Sequence, residues 1–326
     1  MPRFNIPNSA SIHAARHFFQ GNFFFSKKGK NGILHFNPYW SHMEPYALAM
    51  AAAWGAWCRR SGLGIKVENL GSRAKYAARM KLFDQLGVPF NPQVEEHEEA
   101  GRFVPISKVT DRNSLRAAIG DISALLHLDE DPETLAAVQY CISELLRNVL
   151  EHSSSLDGAF VCAHNFTKKP PHRVSIAVAD CGQGIRNHLS VVHPEAAIND
   201  KTAISLALRP GITGARPGLY GTPDNAGAGL FITRCIAKGS GGYFLLVSGN
   251  AGYRLRRENH PEQQSFLMED PLNERHDLWE FPHKWHGTVV ALEVRTDRIV
   301  DFAGYFSWIR DHMPRKEIVR RQIKFT

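Results

Sequence analysis

The chain has 326 residues, of which 43% are hydrophobic and 22% charged, and a formal net charge of +7. That is an ordinary globular composition, so disordered and fibrous classes are excluded, and at roughly 100–200 residues per domain the length favours two domains. No apolar run approaches the roughly 18 residues of a membrane span, and the basic balance permits an acidic or nucleic-acid partner without demanding one.

In chain order, residues 32–36 (Gly-Ile-Leu-His-Phe) read as a strand. Residues 44–60 read as an alanine-rich helix, stopped by Arg59 and Arg60 ahead of Gly62, and residues 64–70 as a second strand. Ser72 can cap a helix reaching Leu86, with Gly87 as its closing residue. This order predicts a small α/β layer domain over residues 1–91. The polar, acidic stretch at 91–101, bounded by Pro92 and Gly101, reads as a linker, assigned to 92–103. Beyond it, residues 104–109 are strand-like and 111–128 form an amphipathic helix.

The next helix, opened by Asp131 and Pro132, carries an apolar stripe of Leu135, Val138, Ile142, Leu145 and Val149. On another face Glu144, Asn148 and His152 follow at four-residue spacing, about 6 Å apart. A carboxylate there can deprotonate a water or hydroxyl, and an amide oxygen suits a largely hydrated magnesium ion that also touches phosphates. A solvated helix face has the same look.

Strand-like residues 159–164 and 173–179 follow, and the second runs into Asp180-Cys-Gly182-Gln-Gly184-Ile185. An aspartate at a strand end accepts hydrogen bonds, and the glycines let the backbone approach a flat ligand such as a purine; an ordinary Asp-Gly turn uses the same residues. Asn225-Ala-Gly227-Ala-Gly229-Leu230 then leads into a helix over 230–237, where N–H groups can cradle phosphate oxygens. The segment is neither a dinucleotide fingerprint nor a P-loop. Strands over 243–248 and 288–294 flank an insertion at 253–285 rich in charge and aromatics, and His286-Gly287-Thr288 opens the last strand. Together these elements predict an α+β sandwich of one sheet and one helical layer. The five cysteines (Cys58, Cys141, Cys162, Cys181, Cys235) are scattered without a CxxC pair, and the chain opens on no charged-then-apolar leader. A cytoplasmic protein without disulfides, structural zinc or a membrane anchor is the expectation.

The order of the four motifs resembles the ATP-binding boxes of the GHKL superfamily, which comprises the gyrase, heat-shock-chaperone, histidine-kinase and MutL-type ATPases. The resemblance covers about residues 105–296. It implies a Bergerat-type α/β sandwich over 104–296 that holds ATP and Mg2+. Asn148 would hold the magnesium and Glu144 would serve as catalytic base. Asp180 would receive the adenine amine beside a wall of Gly182, Gly184 and Ile185. Gly227, Gly229 and Leu230 would line the phosphates, and Thr288 would support Asp180, usually through water. Residues 186–226 would be a mobile lid, in which Arg209 and Arg216 are phosphate contacts or simply loop residues. His152 is read as structural.

Departures from the family select a branch. The upstream part offers no phosphoacceptor hairpin of a sensor kinase, and the residues after Val294 are too few for a lysine-bearing second domain. The layout is closest to the anti-sigma-factor serine kinases, whose partners are small STAS domains, and residues 32–88 are similar to a STAS-like domain. Ser41 and Ser72 are the only plausible phosphoacceptors there, Ser72 being already explained as a cap. Two functions compete. One is a slow or partner-dependent Mg-ATP hydrolase or serine/threonine kinase-like enzyme. The other is a non-hydrolysing, ATP-gated module that alters how the N-terminal domain meets an unidentified protein. A homodimer fits either. The basic tail at 297–326, with Arg315, Lys316, Arg320, Arg321 and Lys324, suits a solvated helix face more than nucleic acid. The aromatics of the insertion suit a partner surface, a structured excursion or, less well, single-stranded nucleic acid.

Overall fold

The computed structural model describes residues 1–39, 42–70, 74–90, 92, 102–126, 132–167, 170–213, 229–257 and 270–295. The N-terminal part begins with β1 (Arg3–Ile6), β2 (Ser9–Ala10), α1 (Ala15–Phe18) and β3 (Phe23–Phe24). It continues through β4 (Asn31–Phe36), β5 (His42–Met43), α2 (Pro45–Arg60), β6 (Gly64–Glu68), α3 (Lys75–Arg79) and α4 (Leu82–Leu86). One sheet has the order β3-β1-β4-β6, and β2 pairs separately with β5. β1, β4 and β6 run parallel, while β3 is antiparallel to β1. The helix predicted to reach Leu86 is two short helices. Lys81 between them sits in the left-handed region (φ 58), and Gly87 (φ 66) closes the second as expected. Ser41 and Ser72 lie outside the described residues.

The second part comprises β7 (Phe103–Val109), α5 (Arg112–Leu126), α6 (Pro132–His152), β8 (Ala159–Phe166) and β9 (Arg173–Asp180). It goes on through α7 (Gly184–Leu189), α8 (Asp200–Ala207), α9 (Gly229–Gly239), β10 (Phe244–Leu255) and β11 (His276–Arg295). Its five strands form an antiparallel sheet ordered β10-β11-β9-β8-β7. The molecule is therefore of the α+β class.

Strand alternation divides this sheet into two apolar faces. Val161, Ile176, Val178, Leu246, Val290 and Leu292 look to the front, where they share a core with Ile142, Leu145 and Val149 of α6 and with α5 and α9. Phe160, Cys162, Ala177, Ala179, Val247 and Val289 look to the rear, where α2 lies across β8 and β9. α2 is buried from Pro45 through Cys58 because the N-terminal sheet covers its other side. A helix enclosed on all sides has no polar stripe, which is why this one reads as apolar throughout.

One apolar cluster thus contains residues from both sides of the expected linker. Phe103, the last residue assigned to that linker, already begins β7; the acidic stretch itself, apart from Pro92, lies outside the described residues.

In two of the segments read as excursions the described residues are packed structure. At residues 253–255 and 276–285 the insertion continues the β10–β11 hairpin, with Tyr253 opposite Leu278 and Leu255 opposite His276. Its Trp279, Phe281 and Trp285 are buried, Phe281 lying 5.1 Å from Phe19 and Trp285 5.4 Å from Phe23. These rings join the hairpin to the N-terminal part and offer no stacking platform to nucleic acid. The first half of the expected lid is also packed structure. α7, the 3-10 turn Pro194–Ala197 and α8 occupy it, with Ile204 and Leu208 buried against the front core. Residues 214–228, 258–269 and 296–326, and with them Gly227, Arg216 and the basic tail, lie outside the described residues. Among the described residues no helix is long and apolar enough to cross a membrane, and Cys58, Cys162, Cys181 and Cys235 are buried free thiols.

Candidate functional site

β9 ends at Asp180, two residues past the front-facing Val178, so alternation turns its side chain toward the helix layer. Val289 pairs with Ala179, which places Thr288 beside Asp180 on the same face. The Asp180 side chain is fully buried. One carboxylate oxygen accepts the N–H of Gly182 at 2.7 Å, and the other accepts the N–H of Thr288 at 3.2 Å. A carboxylate oxygen has about two acceptor positions, so each retains capacity for one more donor. Burial raises the Asp180 pKa to about 7, and the two N–H bonds pull the other way. Thr288 therefore meets the carboxylate directly through its main-chain N–H, whereas the resemblance implied a support that usually runs through water.

A bulge makes this contact possible. The β10–β11 register shifts at Ser248/Gly249 and again at Gly249/Ala251, looping Trp285, His286 and Gly287 toward the end of β9. Gly287 has φ 102, and a Cβ there would fall 2.5 Å from an Asp180 carboxylate oxygen and 2.6 Å from the Gly182 nitrogen. The Trp285 indole N–H donates to the Asp180 carbonyl at 3.1 Å. The Ser248 hydroxyl donates to the Gly287 carbonyl (2.8 Å) and accepts the Ile185 N–H (2.9 Å), fixing Gly184 and Ile185 against the hairpin. Nothing local in the sequence marks Ser248 or Trp285, because their roles depend on strand register.

A second cluster forms where α6 meets α9. A Cβ on Gly229 would stand 3.1 Å from Glu144 Cβ, 3.3 Å from Asn148 Nδ2 and 3.3 Å from Glu144 Oε2. The start of α9 therefore abuts the polar ladder of α6. Glu144 is buried; its Oε1 accepts from Arg147 at 2.8 Å, while Oε2 is the oxygen near Gly229. Burial raises its pKa, and the Arg147 guanidinium opposes that rise. Leu230 is half-buried against the front core. Arg147 is absent from the predicted set, although its i,i+3 spacing from Glu144 was available to find it.

The C-terminal end of α6 ties the two clusters together. The Gln183 backbone N–H donates to the Ser153 carbonyl (2.7 Å), and its side chain donates to the His152 carbonyl (2.6 Å). His152 stacks on His188 with ring centroids 4.7 Å apart, and burial holds both pKa values down, His188 at about 4. These contacts join the end of α6 to the Gln183 turn and to α7. Asn148 and His152 are about 6 Å apart along the axis, so the clusters lie about one helical turn from each other.

Arg209 is paired with Asp270 at 2.7 Å. Among the described residues no cluster of three or more His, Cys, Asp or Glu side chains is arranged to hold a metal. A magnesium ion on this surface would depend on Asn148 together with waters and phosphate oxygens. No protein-family model, curated protein or solved structure matches the chain.

Proposed function

We propose that the chain binds Mg-ATP between α6 and the front face of the five-stranded sheet, in a Bergerat-type sandwich. Turnover would be slow or dependent on a partner. The observation that carries this reading is the placement of Asp180 and Thr288, side by side on the sheet face against which α6, the helix that bears Glu144 and Asn148, packs its apolar stripe. Asp180 is a buried acceptor with room for one more donor on each oxygen, which suits the exocyclic amine of adenine. Gly182, Gly184 and Ile185 would wall that base. Gly227, Gly229 and Leu230 would approach the phosphates, since Gly229 has no side chain to hold α9 away from Glu144 and Asn148.

Asn148 would hold the magnesium, whose chemical contribution is to neutralise phosphate charge. Glu144 would take the proton of the attacking water or hydroxyl. Its desolvated carboxylate is more basic than usual, and Arg147 fixes its orientation through Oε1. The N-terminal part, read as STAS-like, would convey nucleotide state to a protein partner, because its α2 packs on the rear of the sheet that carries Asp180. A non-hydrolysing, ATP-gated binding module is the second reading, favoured by the Arg147 ion pair, which occupies one oxygen of the base.

The test follows the γ-phosphate. Purified protein and its Glu144→Ala variant are incubated with γ-labelled ATP and magnesium. Label released as phosphate, or moved onto protein, in the parent alone supports the enzyme. Label retained on bound ATP in both supports the gated module, and no binding of ATP by either protein overturns the proposal.

A further inference from the structure

A cavity of about 390 Å³ is lined by the Gly182–Gly184 loop, and Asp180 itself is not in its wall. Cys181, which belongs to the rear core, lines it together with Trp57 of α2, whereas Glu144, Asn148 and Asp180 do not. Its size falls within the range of small-molecule sites, roughly 300–1,000 Å³. Three chain segments distant in sequence bring cations to it: Arg60 from α2, Arg186 from α7 and Lys284 from β11. Among the described residues Asp200 is the one carboxylate in its wall.

These cations are positioned but not used up. Arg60 spends its Nε on Asp157 at 2.8 Å, and Arg186 spends one terminal nitrogen on the Ala197 carbonyl at 2.5 Å. A guanidinium has five N–H donors, so each contact orients the group and leaves most of its donors for a ligand. Lys284 Nζ stands 4.0 Å from Asp200, beyond hydrogen-bonding distance. Asp200 is itself committed to the Asn250 N–H at 3.0 Å.

Trp57, Trp285 and His286 bring rings to the same wall. His286 lies edge-on to Trp57 at 5.8 Å and stacks on Phe25 at 4.2 Å. Burial, followed by the charges of Lys284, Arg60 and Lys27, holds the His286 pKa below the ordinary histidine range. Several positive charges therefore converge on this ring.

We infer that this cleft is a binding site for a small phosphorylated ligand carrying a ring, its phosphate on Arg60, Arg186 and Lys284 and its ring against Trp57 and His286. Charge-assisted and forked contacts from arginine suit a phosphate in particular. The inference does not depend on ATP binding at Asp180, although the cavity shares Gly182 and Gly184 with the base wall proposed there, and Ser248, Trp285 and Gly287 with the bulge that supports it.

The probe is phenyl phosphate, titrated into the full chain without nucleotide or magnesium. Binding is followed by tryptophan fluorescence, since Trp57 and Trp285 both line the cavity. A saturable response is expected, weakened roughly tenfold or more in Lys284→Gln and in Arg60→Gln and unchanged in Lys108→Gln on the far edge strand. Lys284 is more than half exposed, so its substitution spares the fold. Phenyl phosphate should also protect Lys284 from acetylation, read by mass spectrometry. Absence of saturable binding, equal affinity in parent and Lys284→Gln, or an unprotected Lys284 would each overturn the assignment.

Discussion

The backbone N–H of Thr288 donates to the carboxylate of Asp180 across 108 residues of sequence, at 3.2 Å. This bond closes the end of the sheet. It uses a main-chain donor, so the side chain at 288 is not what holds Asp180. What the position requires is the bulge before it, which aims the N–H at the carboxylate, and the glycine at 287 that makes room.

The first prediction concerns pH. A carboxyl whose folded pKa is raised to about 7 remains protonated where an unfolded aspartate, at about 3.8, is ionised. Its contribution to stability is therefore fully present below about 3.8 and is lost as pH rises through about 7. Nucleotide binding should run the other way, because the adenine amine needs the ionised acceptor. ATP affinity is expected to fall from pH 8 to pH 6 in the parent. His188, held at about 4 by burial, does not titrate there, and burial moves His152 in the same direction. Asp180→Asn should weaken binding by the worth of a hydrogen bond to a charged group, about 1.5–3 kcal/mol, and flatten the pH profile. Calorimetric titration at three pH values measures both, and an affinity in Asp180→Asn equal to the parent's would remove Asp180 from the site.

Glu144→Ala should separate binding from turnover. The carboxylate is buried and paired with Arg147, so its removal leaves that cation more exposed to solvent while α6 keeps its apolar stripe. ATP affinity is expected to change little and phosphate release to stop. Arg147→Ala gives the complementary result: without the opposing cation the Glu144 pKa rises further, shifting the pH–rate profile to higher pH. Equal turnover in Glu144→Ala and the parent would exclude Glu144 as the base.

Gly229→Ala tests whether α9 must approach α6. The added methyl would meet Glu144 Cβ at 3.1 Å and Asn148 Nδ2 at 3.3 Å, so the helices must part by a few tenths of an ångström. Alanine also favours the helix by up to about 1 kcal/mol, which offsets the crowding in global stability. The melting temperature should therefore stay close to the parent's while ATP affinity drops roughly tenfold, since small displacements of positioned groups are costly. A loss of both together would instead mark Gly229 as a packing residue.

The contrast between what the residues announced and what they hid has a physical basis. α2, α6, β8 and β9 were legible because each carries a local signal: alanine content, a periodic stripe, or a buried run ending in Asp-x-Gly. The break at Lys81 was hidden because a left-handed lysine has no local signature. β1 has only four residues, too few for alternation to be read. Trp279, Phe281 and Trp285 looked like a surface insertion because charged residues stand between them, yet in a strand that alternation puts the rings on one buried side. Glu144, Asn148 and Asp180 were each legible, but the contact of Gly229 with the first two, and of Thr288 with the third, exists only in the packed molecule.

The last prediction isolates the bulge. Gly287→Ala would force an L-residue to φ 102, a region that costs about 1–3 kcal/mol. It would also drive a methyl to within 2.4 Å of the Asp180 carbonyl oxygen, and overpacking of this kind adds about 1–3 kcal/mol. The cheapest relief is to lift the start of β11 off β9, which breaks the Thr288 bond to the Asp180 carboxylate and the Trp285 bond to its carbonyl. Trp285→Phe removes only the second of these and keeps the ring among Phe23 and Phe25, at about 1–2 kcal/mol. Gly287→Ala is therefore expected to lower both thermal stability and ATP affinity, whereas Trp285→Phe lowers stability alone. If Gly287→Ala melts with the parent, the bulge is not under the constraint described; if Trp285→Phe loses ATP affinity as well, the indole holds Asp180 in place for binding and not merely for packing.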